Sequence, residues 1–176
     1  LWSFNPTLTN VTISDNMADT GGGMTLSQSN ATLNHVTISN NTSSSNSGWM
    51  YLYNSTFVLT NSIVWNNSPE VIAELNNGYG AFDEDPLITY SDVEGGFEGA
   101  GNIDADPLFT DPENGDYTLQ EGSACIDAGN PSLWYQDVDG TVSDMGATGG
   151  SSILPNFTSY DFGEVGDIGS SAQFAL

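Results

Sequence analysis

The chain contains no lysine and no arginine among its 176 residues, against 23 aspartate and glutamate residues. A protein without these cations lacks the positive footprint that binds nucleic-acid phosphates, so we predict no nucleic-acid partner. Binding to anionic membrane surfaces is disfavoured for the same reason. The carboxylates have no Lys or Arg to pair with, so they must be solvated, hydrogen-bonded or neutralised by bound cations.

Cysteine and histidine are also scarce, because each occurs once, as Cys125 and His35. A single thiol cannot form a disulfide within the chain, and we expect Cys125 to be a small buried hydrophobe. A zinc site needs several such ligands, which this chain lacks. His35 aligns with Asn10 and Asn61 in an internal repeat, so we expect it in a turn or on the surface. No run approaches about 18 apolar residues, which predicts no membrane insertion.

A repeat is the main structural signal that the sequence does contain. Segments 8–16 (LTNVTISDN), 33–41 (LNHVTISNN) and 59–67 (LTNSIVWNN) superpose at spacings of 25 and then 26 residues. Apolar and polar residues alternate within them, as in a strand with one buried face. A second strand repeats as Met24–Ser27 and Met50–Tyr53, with a third copy at 73–76. The predicted interior columns are Leu8, Leu33 and Leu59, and Ile13, Ile38 and Val64.

A period near 25 residues built from short strands favours one architecture. Helical repeats need 3.6-residue periodicity and a propeller blade needs about 40–45 residues. A coil of a parallel β-helix fits, because several short strands return the chain one strand spacing of about 4.8 Å further along. In that geometry Asn16, Asn41 and Asn67 stack as an amide ladder. The sequence therefore predicts an all-β fold, a parallel β-helix.

Several later blocks carry a resemblance to a known class of protein. They are 60–67 (TNSIVWNN), 88–96 (ITYSDVEGG), 101–109 (GNIDADPLF), 116–119 (DYTL), 122–129 (GSACIDAG), 137–140 (DVDG) and 144–147 (DMGA). The set resembles bacterial secreted right-handed β-helix repeat proteins of the pectate-lyase-like superfold. The resemblance implies a right-handed solenoid over residues 1–150 and a secreted or cell-surface location.

Residues 151–176 differ from the rest and predict a linker followed by orphan β-strands. Segment 157–166 (FTSYDFGEVG) resembles the first strand of the immunoglobulin-like modules that follow such β-helices. A lone strand pair is marginal in water, so we expect these strands to pair with a copy of the chain or with a larger surface assembly. The alternative is that the sequence is a piece of a longer protein, in which the module continues. The predicted assembly residues are Phe157, Tyr160, Phe162, Val165, Phe174 and Leu176.

Two acidic turns predict a calcium site. The first holds Asp137, Asp139 and Asp144, and the second holds Asp111, Glu113 and Asp116. Carboxylates on turns supply the oxygen ligands that calcium requires. The alternative is that the aspartates accept hydrogen bonds from nearby backbone N–H groups without any ion.

For function, the sequence favours a non-enzymatic structural or adhesive protein of the cell surface, such as a filament component. A glycan-binding module is one alternative, with Tyr51, Tyr53 and Trp65 as outward aromatics. The other is a non-catalytic fragment of a polysaccharide lyase or hydrolase. The resemblance implies that lyases of this superfold use Arg or Lys, which this chain lacks. The acid pairs Asp83/Asp85 and Asp104/Asp106 lie in Asp-Pro turns, which favours a structural role.

Overall fold

The computed structural model describes residues 5–69, 73–75, 85–137 and 139–150. These residues are all-β, and none of their helices is long and apolar enough to cross a membrane. Two 3-10 helices are present, Pro112–Asn114 and Leu133–Tyr135. The strands are β1 Thr7–Ser14, β2 Met17–Ala18, β3 Met24–Ser27, β4 Asn30–Ser39, β5 Thr42–Ser43, β6 Met50–Tyr53, β7 Thr56–Thr60, β8 Ile63–Trp65, β9 Ala73–Leu75, β10 Leu87–Thr89, β11 Asp92–Val93, β12 Phe109–Asp111 and β13 Asp116–Leu119.

Parallel pairing dominates the molecule. The largest sheet has the order β10-β7-β4-β8-β11, with β1 added to β4, and it is strongly curled. Two smaller parallel sheets are β3-β6-β9 and β2-β5. Strands β12 and β13 form an antiparallel hairpin outside these sheets. The first two repeats thus each supply one strand to each of the three parallel sheets.

The strand register confirms both predicted interior columns. Leu8 pairs with Leu33, which pairs with Leu59, and Ile13, Ile38 and Val64 align in the same way. The middle and last members are buried, while Leu8 and Ile13 are partly buried against the same cluster. Each column places like side chains at one strand spacing, so the core is filled by stacking of equivalents.

Single residues in the left-handed conformation turn the chain at equivalent places in successive repeats. One such position is occupied by Asn10, His35 and Asn61, with φ of 54°, 50° and 52°. Asn and His tolerate this conformation better than most non-glycine residues. A second series is Asp15, Asn40 and Asn66, and a third is Gln28 and Asn54. Because these corners recur in register, the strands bend together and the sheet curls.

Side-chain ladders follow the corners. The predicted amide ladder is confirmed: Asn16 Nδ2 donates to Asn41 Oδ1 at 3.0 Å, and Asn41 Nδ2 donates to Asn67 Oδ1 at 3.0 Å. A serine ladder was not predicted. The backbone N–H of Val36 donates to Ser62 Oγ, and that of Ser62 donates to Ser91 Oγ. These ladders satisfy buried backbone groups where the strands are interrupted.

The third copy of the second strand is present with a different register. Strand β9 pairs with β6, as the repeat predicts. However, Leu75 aligns with Tyr53 rather than with Leu52. The predicted alignment is therefore wrong by one residue. A shift of one residue exchanges the two faces of a strand. The alternation of apolar and polar residues therefore predicts that β9 joins the sheet but does not predict its register.

The segment after β13 folds back over the largest sheet. The N–H of Gly146 donates to Asn61 O, and the N–H of Ala147 donates to Thr37 Oγ1 at 2.9 Å. Cys125, as predicted, is fully buried, in a small cluster with Ile63 and Met145. Residues 151–176, including every predicted assembly residue, lie outside the described residues.

His35 corrects the expectation of a surface position. Its side chain is 3% exposed, and its Nε2 has no hydrogen-bond partner in the described part of the chain. The Tyr135 ring lies 6.2 Å away, centroid to centroid, and Gly150 passes so close to the imidazole that it has no room for a Cβ. His35 does occupy a corner, but the returning C-terminal segment covers it.

Candidate functional site

The described residues contain one cluster of three carboxylates, formed by Asp127, Asp137 and Asp144. One oxygen from each lies within 4.8 Å of the others. The fold brings them together because the segment after Cys125 and the turn after Asp137 run side by side, with Gly129 N–H donating to Ser143 O. Oxygen ligands at this separation suit a hard cation such as calcium.

Backbone N–H groups donate hydrogen bonds to two of these carboxylates. Asp144 Oδ1 accepts from the N–H of Asp127 at 2.8 Å, and Asp137 accepts from the N–H groups of Asp144 and Gly150. Burial raises the pKa of Asp137, and the charge of Asp144 adds to this. Burial also raises the pKa of Asp144, with further contributions from the charges of Asp127 and Asp139. The cluster therefore holds mutually repelling charges in a scaffold of backbone donors.

The other predicted ligands are not members of this cluster. Asp139 accepts hydrogen bonds from Thr141, which lower its pKa. In the second acidic turn, Asp111 accepts from Asn114, and Asp116 accepts from Thr118, which lowers the pKa of Asp116. The remaining residue of that turn, Glu113, is exposed.

Asp127 is the member of the cluster that sequence reasoning missed. It lies 17 residues before Asp144, within the segment 122–129 and outside both acidic turns. Its φ of 54° places it at another left-handed corner. Only the left-handed preference of Asp offered a signal, and that preference does not identify a partner.

A groove of about 340 Å³ lies between the C-terminal ends of β4 and β8 and the β12–β13 hairpin. The hairpin is held there by Tyr117, whose hydroxyl donates to Asp15 and accepts from Asn40 Nδ2. The Tyr117 ring meets the Phe109 ring edge to face at 5.1 Å. The groove is lined by Ser39, Asn40, Trp65, Asn66, Asp106, Leu108, Phe109, Pro112 and Gln120.

The aromatics proposed from the sequence fall in different places. Trp65 lines the groove and packs partly against the Cys125 cluster. Tyr51 and Tyr53 lie on β6, in the smaller sheet, and both are half-buried. The structure therefore brings Trp65, but neither tyrosine, into the groove.

The two acid pairs that the sequence places in Asp-Pro turns are described in part. Asp104 accepts from the N–H of Gly95, and Asp106 accepts from the N–H of Leu108 within its own turn. Asp85 is exposed, and Asp83 lies outside the described residues.

A different carboxyl, Asp92, is fully buried. It accepts from the Cys125 thiol at 3.2 Å and from the N–H of Ala105 at 3.1 Å. Burial is the main cause that raises its pKa to about 6, and the charges of Asp104 and Asp106 contribute. Burial, followed by the charge of Asp92, also raises the pKa of the Cys125 thiol. The thiol therefore stays protonated at neutral pH and is a poor nucleophile.

Comparison of the chain with protein-family models, with curated proteins and with solved structures gives no significant match.

Proposed function

We propose that this chain is a non-enzymatic structural or adhesive element of a secreted or cell-surface protein, built as a right-handed parallel β-helix. The observation that carries the proposal is the continuity of the ladders. Side-chain oxygens at the corners bind the backbone of the neighbouring repeat, as between Asn41 and Asn67 and between Ser62 and Ser91. Polar groups used in this way hold a stack together and leave its length extensible.

The composition supports an extracellular setting for this scaffold. With 23 acids and no Lys or Arg, the surface is strongly anionic and remains soluble where salt or divalent cations screen it. The single cysteine is buried. Stability therefore comes from stacked apolar columns and ladders, and it needs neither disulfides nor ion pairs between acidic and basic side chains.

Self-association or entry into a larger assembly belongs to the same proposal. Strand β1 pairs with β4 on one side and with no other strand in the described part of the chain. An unpaired strand edge presents N–H and C=O groups to any strand that can add to it. Such a contact joins the open edge of β1 in one copy to a strand on a different surface of its partner. Between copies of one chain it propagates as a filament unless it closes into a ring.

Two measurements on the native protein test this function. Antibodies against the chain should label intact, unpermeabilised cells, and electron microscopy of the purified particle should show a rod with a repeat near 4.8 Å along its axis. Incubation with neutral and acidic polysaccharides should release no new reducing ends and no unsaturated uronates. A globular particle or a polysaccharide cleavage product that depends on this chain would overturn the proposal.

A further inference from the structure

We propose that the groove between the parallel sheet and the β12–β13 hairpin binds a neutral pyranose unit of a glycan. This inference goes beyond a scaffold role and rests on the groove alone. Trp65 and Phe109 give it aromatic surface, and Asn66, Asp106 and Gln120 give it polar groups. A mixed lining of this type, with a few placed polar groups on an apolar wall, is common to small-ligand sites.

The hydrogen-bonding state of the lining selects the ligand chemistry. Asn66 Nδ2 donates to Asn40 Oδ1, and Gln120 Nε2 donates to Phe109 O at 2.8 Å, so one N–H of each side-chain amide is occupied. Their carbonyl oxygens, Asn66 Oδ1 and Gln120 Oε1, accept from no group among the described residues. One oxygen of Asp106 accepts from Leu108 N–H, and the other is unused in the same part of the chain. The groove therefore offers free acceptors, among them a carboxylate oxygen, and suits a ligand that carries hydrogen-bond donors.

Sugar hydroxyls supply such donors, and the C–H face of a pyranose packs against an aromatic ring. Trp65 offers this ring, and its indole N–H has no acceptor among the described residues. A carboxylate such as Asp106 accepts from sugar hydroxyls more strongly than a neutral group does. Trp65 and Asp106 would thus bind different parts of the same sugar ring.

Charge restricts the ligand to uncharged sugars. The groove contains Asp106 and no cationic side chain, and the whole chain has no Lys or Arg to neutralise a uronate or a sulfate. An anionic sugar in the groove would face Asp106 without compensation, which disfavours binding. The volume of about 340 Å³ lies at the small end of ligand sites, and it fits one or two sugar rings of a longer chain.

The test uses the full chain and a panel of immobilised oligosaccharides that includes neutral, uronate-containing and sulfated members. A chelator is present, so that no divalent cation bridges an acidic sugar to the protein. We expect retention on neutral oligosaccharides and none on acidic ones. Isothermal titration with the retained oligosaccharides then gives the dissociation constant in solution.

Two groove variants and two matched controls assign the binding site. Trp65→Leu keeps an apolar side chain and removes the ring, and Asp106→Asn removes the charge and keeps an acceptor for Leu108 N–H. Each should raise the dissociation constant about tenfold, the effect of losing one good contact. Trp134→Phe and Asp139→Asn alter an exposed tryptophan and an exposed acid outside the groove, and they should leave it unchanged.

Three results would overturn the proposal. They are the absence of binding to any neutral oligosaccharide, a preference for acidic ones, and equal affinities for the wild type and both groove variants. Circular dichroism of each variant checks the fold, and Asp106→Asn, an exposed substitution, keeps the test decisive if Trp65→Leu unfolds. A scaffold role would survive any of these failures, because it depends on the ladders and not on the groove.

Discussion

Two buried titratable residues, His35 and Asp92, affect stability in opposite directions as pH changes. Burial lowers the pKa of His35 from 6.5 to about 4, so between these values the unfolded chain binds the proton more readily. Burial raises the pKa of Asp92 from 3.8 to about 6, so in that window the folded chain binds it more readily. Stability therefore rises with pH through the His35 window and falls with pH through the Asp92 window.

Substituting His35 with Asn isolates the first effect. Asn occupies the equivalent corners at positions 10 and 61 with nearly the same φ, so the backbone accepts the change. As pH falls from 6.5 to 4, the wild type should lose roughly 3 kcal/mol of unfolding free energy relative to His35→Asn, since one pKa unit is worth about 1.4 kcal/mol. Urea unfolding at several pH values measures this, and a pH-independent difference between the two proteins would contradict it.

Asp92→Asn should show the reverse trend. The amide keeps an acceptor for Ala105 N–H and removes a buried charge. As pH rises from 4 to 6, the variant should gain roughly 3 kcal/mol relative to the wild type, because the folded wild type must keep a proton on Asp92 that its unfolded chain releases. The same urea series checks this prediction, with His35→Asn as the control of opposite sign. A variant that gains nothing between pH 4 and pH 6 would show that Asp92 ionises in the folded chain without cost.

At the scale of elements, the ladders hold the corners where strand pairing is interrupted. Asn41 shows how much a ladder residue contributes. It is fully buried, and its Nδ2 donates to Ile13 O, Ser39 O and Asn67 Oδ1. Its Oδ1 accepts from the N–H of Asn16. Removing this side chain leaves several backbone groups unpaired inside the protein.

Asn41→Ala should therefore destabilise the fold by about 2–5 kcal/mol, through unsatisfied buried groups and a small cavity. Asn16→Ala is the matched control, since the same amide sits at the exposed end of the ladder, and it should cost about 1 kcal/mol or less. Denaturant midpoints at constant slope give both values. Equal costs would mean that the ladder acts through residue propensity and not through buried hydrogen bonds.

The repeat made the stacked elements predictable, because equivalent residues meet at one strand spacing. Leu33 on Leu59, Ile38 on Val64 and the asparagine ladder all follow from that rule. The same rule gives no information about contacts between unlike segments. His35 is buried by a C-terminal segment that includes Gly150, 115 residues later. The fold of that same segment brings Asp144 next to Asp127. The groove combines both kinds of segment, so the sequence suggested Trp65 as a glycan-binding residue but assigned Asp106 a structural role.

At the scale of the whole molecule, uncompensated negative charge is the dominant electrostatic fact. Eighteen of the 23 acids lie between residues 70 and 144, and two lie before residue 70. The segment that carries the carboxylate cluster is therefore the most strongly self-repelling part of the chain. Any cation that binds this part reduces the repulsion as well as occupying its ligands.

The calcium site expected from the sequence remains a prediction, and the carboxylate cluster refines it. Calcium should raise the melting temperature, with about 2.7 kcal/mol of stabilisation at 100 times the dissociation constant. Asp127→Asn should abolish most of this gain, whereas Asp139→Asn should keep it, because Asp139 is engaged with Thr141. Sodium chloride at equal ionic strength controls for screening. An unchanged melting temperature on moving from chelator to calcium would exclude a structural ion.

The ladders also have a direction. In the asparagine and serine ladders the backbone N–H belongs to the earlier repeat and the side-chain oxygen to the later one, as in Asn16 to Asn41 and Asn41 to Asn67. One face of a repeat thus presents side-chain oxygens to the preceding repeat, and the other presents backbone N–H groups to the following one. The two faces are complementary. A duplicated unit inserted between two existing ones would find its partners above and below. Gene duplication can therefore lengthen such a protein in whole repeats without inventing a new contact.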